Sequence, residues 1–571
     1  MWYNSFEVIF LYIRLSKSNS AKFTKVYLVE GYRDENGKSK QRIVKCYGNL
    51  EELQVKDPLI LEKLKEEAKQ VPKNMFSVSI NLSEKNDNID FDKNYGYFFL
   101  ESIYNKLKIS DFFDEKLKKT KLKYDLNEAL KLLVFSRIIN PASKKSTVEN
   151  QKHFFNPFDL TLDSIYDSLG KFNQVKEDLQ SHLNQNVTEN YGRDASLVFY
   201  DVTNYYFETE KEDNLKKAGV SKENRRSPIV QMGLLIDKNG LPISYKLFPG
   251  NTNDISTLIS FVKEMREKYK LGRIILTADK GLNSGKNLAY LTSEGDGYIV
   301  SQKIRGSSEA FINEVLSEVG YEYNQTKTFK SKSFLRERSV KDEKENTVIL
   351  KEKVVCFWSE DFDVREKHKR EELEFRINEF VENPSKYNSS NKVGIKKYLK
   401  LQNLDKETGE IEKIEPYIEF DKKKYDRDMR TDGYYCIITS EIELDNISII
   451  EKYRGLWKIE ESFRVIKSDL EGRPVYVWTE NHIEGHFLIC FLSLLIIRIL
   501  ELKTKHKFSV KRLQEALAEA TYRKIDKGLY SLNKQDEVYQ EIEKEFGTSL
   551  NYAYVKLEQL RNYRKVIIHN I

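Results

Sequence analysis

The chain runs to 571 residues, too many for one hydrophobic core, so several domains are expected. Apolar residues at 40% and aromatics at 12% are enough to build sizeable cores, which excludes a globally disordered chain. Lys plus Arg total 95 against 89 acids, and the resulting charge of +6 is too small to establish a nucleic-acid partner, although local basic faces could still form.

The N-terminal residues 1–10 have an acid near their apolar run, no basic leader and no small-residue cleavage site, so no signal peptide is read. Residues 9–48 alternate as strands do. Phe10-Leu-Tyr-Ile-Arg14 and Lys25 to Tyr32 precede a turn at Asp34-Glu-Asn-Gly37, and Gln41 to Tyr47 follows it. Ser83-Glu-Lys-Asn-Asp-Asn88 reads as a linker. From Tyr95 to about Gln185 the period is helical, as in Leu126 to Arg137, and that helix stops at Asn140-Pro141. Lys144 and Lys145 beside Ser143, Ser146 and Thr147 read as a solvated loop, with phosphate binding the alternative.

From residue 196 strands and helices alternate. Strands are predicted at 196–207, 229–236, 243–248, 273–278 and 298–301, with helices at 255–268 and 284–291. Three strands in succession, then a helix and another strand, resemble the ribonuclease H-like core, a mixed α/β sheet flanked by helices. Residues 305–431 break this rhythm with polar, charge-dense sequence and two short β runs, Thr347-Val-Ile-Leu350 and Val354-Val-Cys-Phe-Trp358, and read as a β-rich insertion. The sheet resumes at Tyr434 to Thr439. The run Phe487–Leu500, interrupted by Arg498, is shorter than the roughly 20 residues that span a bilayer, so a buried helix and no membrane is expected. From about Thr504 the chain is read as helical. The expected division is an N-terminal β unit and linker at 1–94, a helical region at 95–190, a first core part at 191–304, the insertion at 305–431, a second core part at 432–503 and a helical tail at 504–571. Cys46, Cys356, Cys436 and Cys490 show no CxxC spacing, which argues against a zinc site or disulfide framework and fits a reducing cytosol.

Three acids stand out by position. Asp201 follows the apolar run Ser196-Leu-Val-Phe-Tyr200, Asp279 follows Arg273-Ile-Ile-Leu-Thr-Ala278, and Glu460 lies within the helical stretch from Tyr453 to Lys467. Taken singly, an Asp after a strand is most often a turn or N-cap residue. Jointly, two aspartates at strand ends and a glutamate on a late helix suit two-metal phosphoryl transfer, which needs hard oxygen ligands around two cations. Tyr453, Glu460 and Lys467 are seven residues apart in turn, which on one continuous helix places phenol, carboxylate and ammonium on a shared face. Trp457 borders that face and could stack on a base, while Leu456, Ile459, Phe463 and Ile466 make an ordinary core stripe.

These residues carry a resemblance. Tyr200 to Glu208, Phe248 to Thr257, Thr277 to Leu282, Tyr453 to Lys467 and Arg473-Pro-Val-Tyr-Val-Trp478 resemble a bacterial insertion-sequence transposase of the DDE class, in the group marked by a Y-R-E-K signature. The resemblance implies Asp201, Asp279 and Glu460 as catalytic metal ligands for two Mg²⁺ or Mn²⁺. It implies Tyr453 and Lys467 as contacts to the transposon-end backbone and Trp457 as a base-stacking residue. The signature's arginine position holds Leu456, so Arg454 or Arg464 is the candidate for the missing cation. Glu461 is the rival for the third ligand, and Glu460 is preferred because it keeps the register. The function implied is cleavage at transposon ends and strand transfer of the 3′ hydroxyl into target DNA. The partners implied are terminal inverted repeats, target DNA and a second copy of the chain on paired ends, in the cytoplasm and on the nucleoid when DNA is bound. A nuclease that cuts without joining and an inactive DNA-binding derivative are the alternatives. The resemblance also makes the helical region at 95–190 the DNA-binding domain, makes 191–304 and 432–503 the two parts of the catalytic core, and makes Met1 to about Glu7 an extra leader or a misplaced start.

Overall fold

The structure, a computed structural model, describes residues 10–17, 22–33, 39–70, 92–117, 122–219, 227–269, 272–383, 395–402, 417–526, 528–533 and 535–569. The expected leader, the turn at 34–37 and the linker at 83–88 lie outside them. The chain divides into two compact units, Met1–Phe91 with Arg523–Ser531, and Asp92–Tyr522 with Leu532–Ile571. In the first, β1 (Phe10–Ser16), β2 (Lys25–Arg33) and β3 (Ser39–Asn49) form an antiparallel sheet. Helices α1 (Leu50–Lys56) and α2 (Ile60–Gln70) follow it, and Val26, Val29, Leu64 and Ala68 are buried there.

The second unit begins with helices. α3 (Leu126–Ile139) starts where the Asp125 carboxylate accepts from the amides of Asn127 and Glu128, and it ends before Pro141, whose ring cannot continue it. The segment read as a solvated loop is instead helix α4 (Lys144–Asn150), capped by the Ser143 hydroxyl on the Ser146 amide. Ser143 supplies the start signal. Lys144 turns inward, its Nζ 2.9 Å from His486 Nδ1, so it faces neither solvent nor a phosphate. α5 (Leu162–Tyr191) runs from the Thr161 cap to Gly192, whose positive φ of 65° closes the helix.

The centre is one nine-stranded sheet. In chain order its strands are β4 (Leu197–Tyr206), β5 (Ile229–Asp237), β6 (Pro242–Pro249), β7 (Ile275–Ala278), β8 (Gly297–Gln302), β9 (Glu322–Tyr323), β10 (Phe329–Lys341), β11 (Thr347–Ser359) and β12 (Tyr434–Thr439). Across the sheet the order is β9-β10-β11-β12-β8-β7-β4-β5-β6. β4, β7 and β8 are mutually parallel, and every other pairing is antiparallel. The two short β runs expected inside the insertion are one strand, β11, which pairs with β12, so this stretch widens the sheet. The rest of the insertion closes a small core of its own around Ile377, Phe380, Tyr398 and Tyr425.

Alternation along the strands fixes which way each residue faces. Val198, Tyr200 and Val202 of β4, Leu276 and Ala278 of β7, Tyr298 and Val300 of β8, and Cys436 and Ile438 of β12 enter one core. That core is closed by Phe261 and Met265 of α6 (Asp254–Tyr269) and by Leu288 and Leu291 of α7 (Gly285–Ser293). The odd-numbered residues of β4 face the other side. There lie α8 (Asn446–Arg454), α9 (Trp457–Arg464) and α10 (Glu480–Lys503). α10 is apolar on nearly every side and packs among α3, α5 and β6, as a helix without a polar face must. Its apolar 18-residue window is 94% buried, which makes it a core helix. The tail, read as helical, also contains strands Thr521–Asp526 and Leu529–Leu532. Gly528, with φ 78°, makes the turn between them. Its last helix, Leu557–His569, is tied to the helical region by Arg564, whose guanidinium binds Glu101 at 2.5 and 2.7 Å.

Burial pulls the Lys144 ammonium down from its ordinary 10.5 to about 7, with Arg137 adding repulsion. The unfolded chain keeps that proton to about pH 10.5 whereas the folded chain releases it near 7, so the unfolded state binds more protons between these values. Stability should therefore rise with pH across that window. Lys144→Met should flatten the rise and stabilise the protein at pH 6 by on the order of a few kcal/mol, read from urea-unfolding midpoints of both proteins at pH 6 and 9.

Candidate active site

The two aspartates come together through strand register. β4 and β7 pair in parallel with Phe199 opposite Thr277, and β7 pairs with β8 with Ala278 opposite Val300. Carrying the register to the next residues on the same face sets Asp201 level with Asp279 on neighbouring strands, about 5 Å apart at the backbone. Asp279 ends β7 and opens the 3₁₀ turn Lys280–Leu282, which leaves its carboxylate exposed. Ser301, next on β8, donates to Asp279 Oδ1 at 3.5 Å. Asp201 is partly buried in mid-strand.

The stretch from Tyr453 to Lys467 is not the continuous helix that its spacing predicts. α8 stops at Arg454, α9 begins at Trp457, and a π-helical turn occupies Val465–Asp469. The break has a packing cause. A Cβ at position 455 would stand 2.5 Å from the Phe199 ring, so only glycine lets the helices approach β4 this closely. Leu456 is buried at this junction, so the position of the signature's arginine faces inward and a cation there would be desolvated. Beyond α9, the wider π turn brings Lys467 Nζ onto the Thr203 hydroxyl at 2.6 Å and over the Tyr205 ring at 5.3 Å. Phe199, Asp201 and Thr203 alternate onto one face of β4. The segment therefore crosses the Asp201 face, with Gly455 at Phe199 and Lys467 at Thr203 on either side.

Tyr453 shares a 3.0 Å hydrogen bond with the Tyr435 hydroxyl, and burial, with help from Tyr435 and Asp279, pushes its phenol well above the usual range. Glu460 is exposed on α9, in a stripe with the equally exposed Trp457 and Arg464, and has no ion-pair partner among the described residues. Its neighbour Glu461 is committed elsewhere, 3.2 Å from the buried Arg498 and 3.7 Å from Arg464. Arg464 also binds Asp469 at 3.0 Å, whereas Arg454 is exposed and lies over the Phe329 ring at 5.9 Å. Of the two candidate cations, Arg454 is the one not tied to a carboxylate among the described residues.

The structure thus brings Asp201 and Asp279 to one level and lays the Glu460 segment across the same sheet face. It does not gather the three carboxylates into one cluster: among the described residues, no group of three or more His, Cys, Asp or Glu stands close enough to hold a metal ion. Carboxylate oxygens on two adjacent strands suit Mg²⁺ or Mn²⁺, which take one or two carboxylates and fill the remaining positions with water and substrate phosphate. Thr203, Ser301, Tyr435 and Gly455 went unmarked by sequence reasoning. Alternation from Asp201 points to Thr203, and the end of the predicted strand at 301 points to Ser301.

Residues 192–496 match the family described as transposase DDE domain. The chain belongs to that family. Residues 13–78 match the N-terminal domain of IS1634 family transposases, so this is an insertion-sequence DDE transposase, an enzyme acting on DNA in a family that depends on metal ions. The DDE match spans both aspartates, the insertion and Glu460. Among solved structures, the chain is similar to a piggyBac transposase synaptic complex with hairpin DNA at 8% identity, covering 85% of this chain and 87% of that one with a TM-score of 0.36. It is also similar to a Mos1 transposase paired-end complex at 12% identity, covering 45% and 69% with a TM-score of 0.14. No curated protein sequence matches.

Gly455→Ala should force the transposase's helices off Phe199 and cost roughly 1–3 kcal/mol of stability, measured by chemical unfolding. Phe199→Leu in the same chain should recover part of that loss, because the shorter side chain clears the new methyl.

Proposed function

We propose that Asp201, Asp279 and Glu460 form the catalytic acid triad of this transposase and that the reaction cuts DNA at the element's ends and joins the freed 3′ hydroxyl to target DNA. The observation that carries the reading is the level placement of Asp201 and Asp279 on parallel neighbours, beneath the segment that bears Glu460. The strand order β6-β5-β4-β7-β8, three antiparallel strands followed by two parallel ones, supports a ribonuclease H-like core. On this reading the three acids would hold two Mg²⁺ or Mn²⁺, which when bound stabilise charge on the attacking and leaving oxygens of an in-line displacement.

The residues of the chain divide the remaining work. Glu460, solvent-facing and without an ion-pair partner among the described residues, is free to turn toward the aspartates when DNA occupies the face. Lys467 and Tyr453 flank that face and position the backbone of the transposon end, Lys467 as a point charge and Tyr453 as a hydrogen-bonding phenol. Exposed Trp457 stacks on a base, and Arg454 supplies the cation that Leu456 does not. Terminal-repeat recognition is assigned to the helical region at 95–190. The enzyme works as a homodimer on paired ends, in the cytoplasm and on the nucleoid when DNA is bound.

Oligonucleotides carrying the sequences that flank the element test this. With Mg²⁺, Asp201→Ala and Glu460→Ala should lower end cleavage by more than the roughly 10–100-fold that loss of a supporting group costs, while end binding persists. Glu461→Gln should weaken folding through Arg498 yet still cut. Either alanine variant cutting at the wild-type rate would remove that acid from the triad. Pre-cleaved ends that yield no strand-transfer product would reduce the function to a nuclease.

A further inference from the structure

After the π turn the chain returns to the end of β4 and displays two large rings that the catalytic reading leaves unused. The Val475 amide donates to Tyr206 O at 3.4 Å, and Val475 bridges Phe207 in parallel. Val475 and Val477 are buried, whereas the alternating Tyr476 and Trp478 are 62% and 46% exposed. The backbone that carries them is held at its far end as well. Trp478 O accepts from the buried Lys216 ammonium at 2.6 Å, and that ammonium is itself paired with Asp213 at 3.0 Å. The next residue, Thr479, caps α10. A strap fastened on both sides while presenting its two largest apolar side chains to water is built for a ligand that covers them.

The spacing defines that ligand. Side chains two residues apart on an extended strap stand about 6.6–6.8 Å apart on one side. That is twice the roughly 3.4 Å between stacked bases, so the gap admits one flat base and a ring lies on each of its faces. A paired base cannot enter, because its partner and stacked neighbours occupy the space that the rings require. The strap joins the end of β4 at Phe207, six residues beyond Asp201, which is about 20 Å along the strand.

We infer that Tyr476 and Trp478 form a clamp for one unpaired nucleotide of DNA whose backbone passes through the Asp201–Asp279 site. The clamp rests on the proposed placement of DNA on that sheet face. It adds a requirement which the triad does not carry: the strand must be unpaired about 20 Å from the reacting phosphate.

The test uses the full-length protein, a fluorescein-labelled 20-nucleotide single strand of mixed sequence and the matching duplex. Tyr476→Ala with Trp478→Ala should weaken single-strand binding by roughly tenfold to a hundredfold and leave duplex binding within about twofold. Trp478→Phe, which keeps a ring, should restore most of the loss. Tryptophan fluorescence should quench when the single strand binds, and Trp478→Phe should remove most of that quench while binding persists. Unchanged single-strand affinity, equal losses on both DNAs, or a changed oligomeric state in light scattering would each overturn the clamp, the last by making the rings a contact between copies. Asp201→Ala should retain the single-strand preference. If that variant still cuts while the ring variants lose the preference, the triad fails and the clamp stands.

Discussion

The architecture rests on one strand that must satisfy two opposite surroundings. β4 sends Val198, Tyr200 and Val202 into a dry core and sends Phe199, Asp201, Thr203 and Tyr205 toward a helical layer that includes polar groups. Because side chains alternate strictly, shifting this strand by one residue would bury the carboxylate among aliphatics and expose the core. The burial of three apolar side chains, each contributing about 1.5–3 kcal/mol, therefore also fixes the chemistry's orientation. Parallel pairing with β7 completes the arrangement, since it is what carries Asp279 to the level of Asp201.

The layer over that face is assembled from deliberate irregularities. A helix of uniform pitch would carry Tyr453, Glu460 and Lys467 in a slowly drifting line. The chain instead breaks at Gly455, dips against Phe199, and widens into the π turn that carries Lys467. Each departure is tied to a contact with β4, so the helices follow the strand's surface. α10 makes this possible from behind. Its buried Arg498 holds Glu461 at 3.2 Å and Glu501 at 2.6 Å, which anchors one acid of the adjacent pair and leaves the other facing solvent.

Much of this was legible in the sequence. Apolar alternation placed five core strands within two residues of their observed ends, and the run before Asp279 marked a strand terminus correctly, whereas Asp201 lies in mid-strand because β4 continues to Tyr206. What was lost depends on contacts distant in the chain. The break at Gly455 follows from Phe199, more than two hundred residues earlier, and no local period reports it. Lys144 looked solvated because its neighbours are polar, yet it is buried beside His486. The β runs of the insertion read as separate fragments because charged residues interrupt them, and β12, supplied from beyond the insertion, binds them to the main sheet.

The π turn at Val465–Asp469 changes how distances along this polypeptide translate into angles. An ordinary helix advances about 100° per residue, and one surplus residue rotates everything downstream by that amount relative to what lies before it. Removing a single residue between Val465 and Lys467 would rewind the segment into a regular spiral and swing the ammonium away from Thr203 without altering any functional group. Inventory alone cannot describe this surface, since the same side chains on a conventional spiral would form a different one.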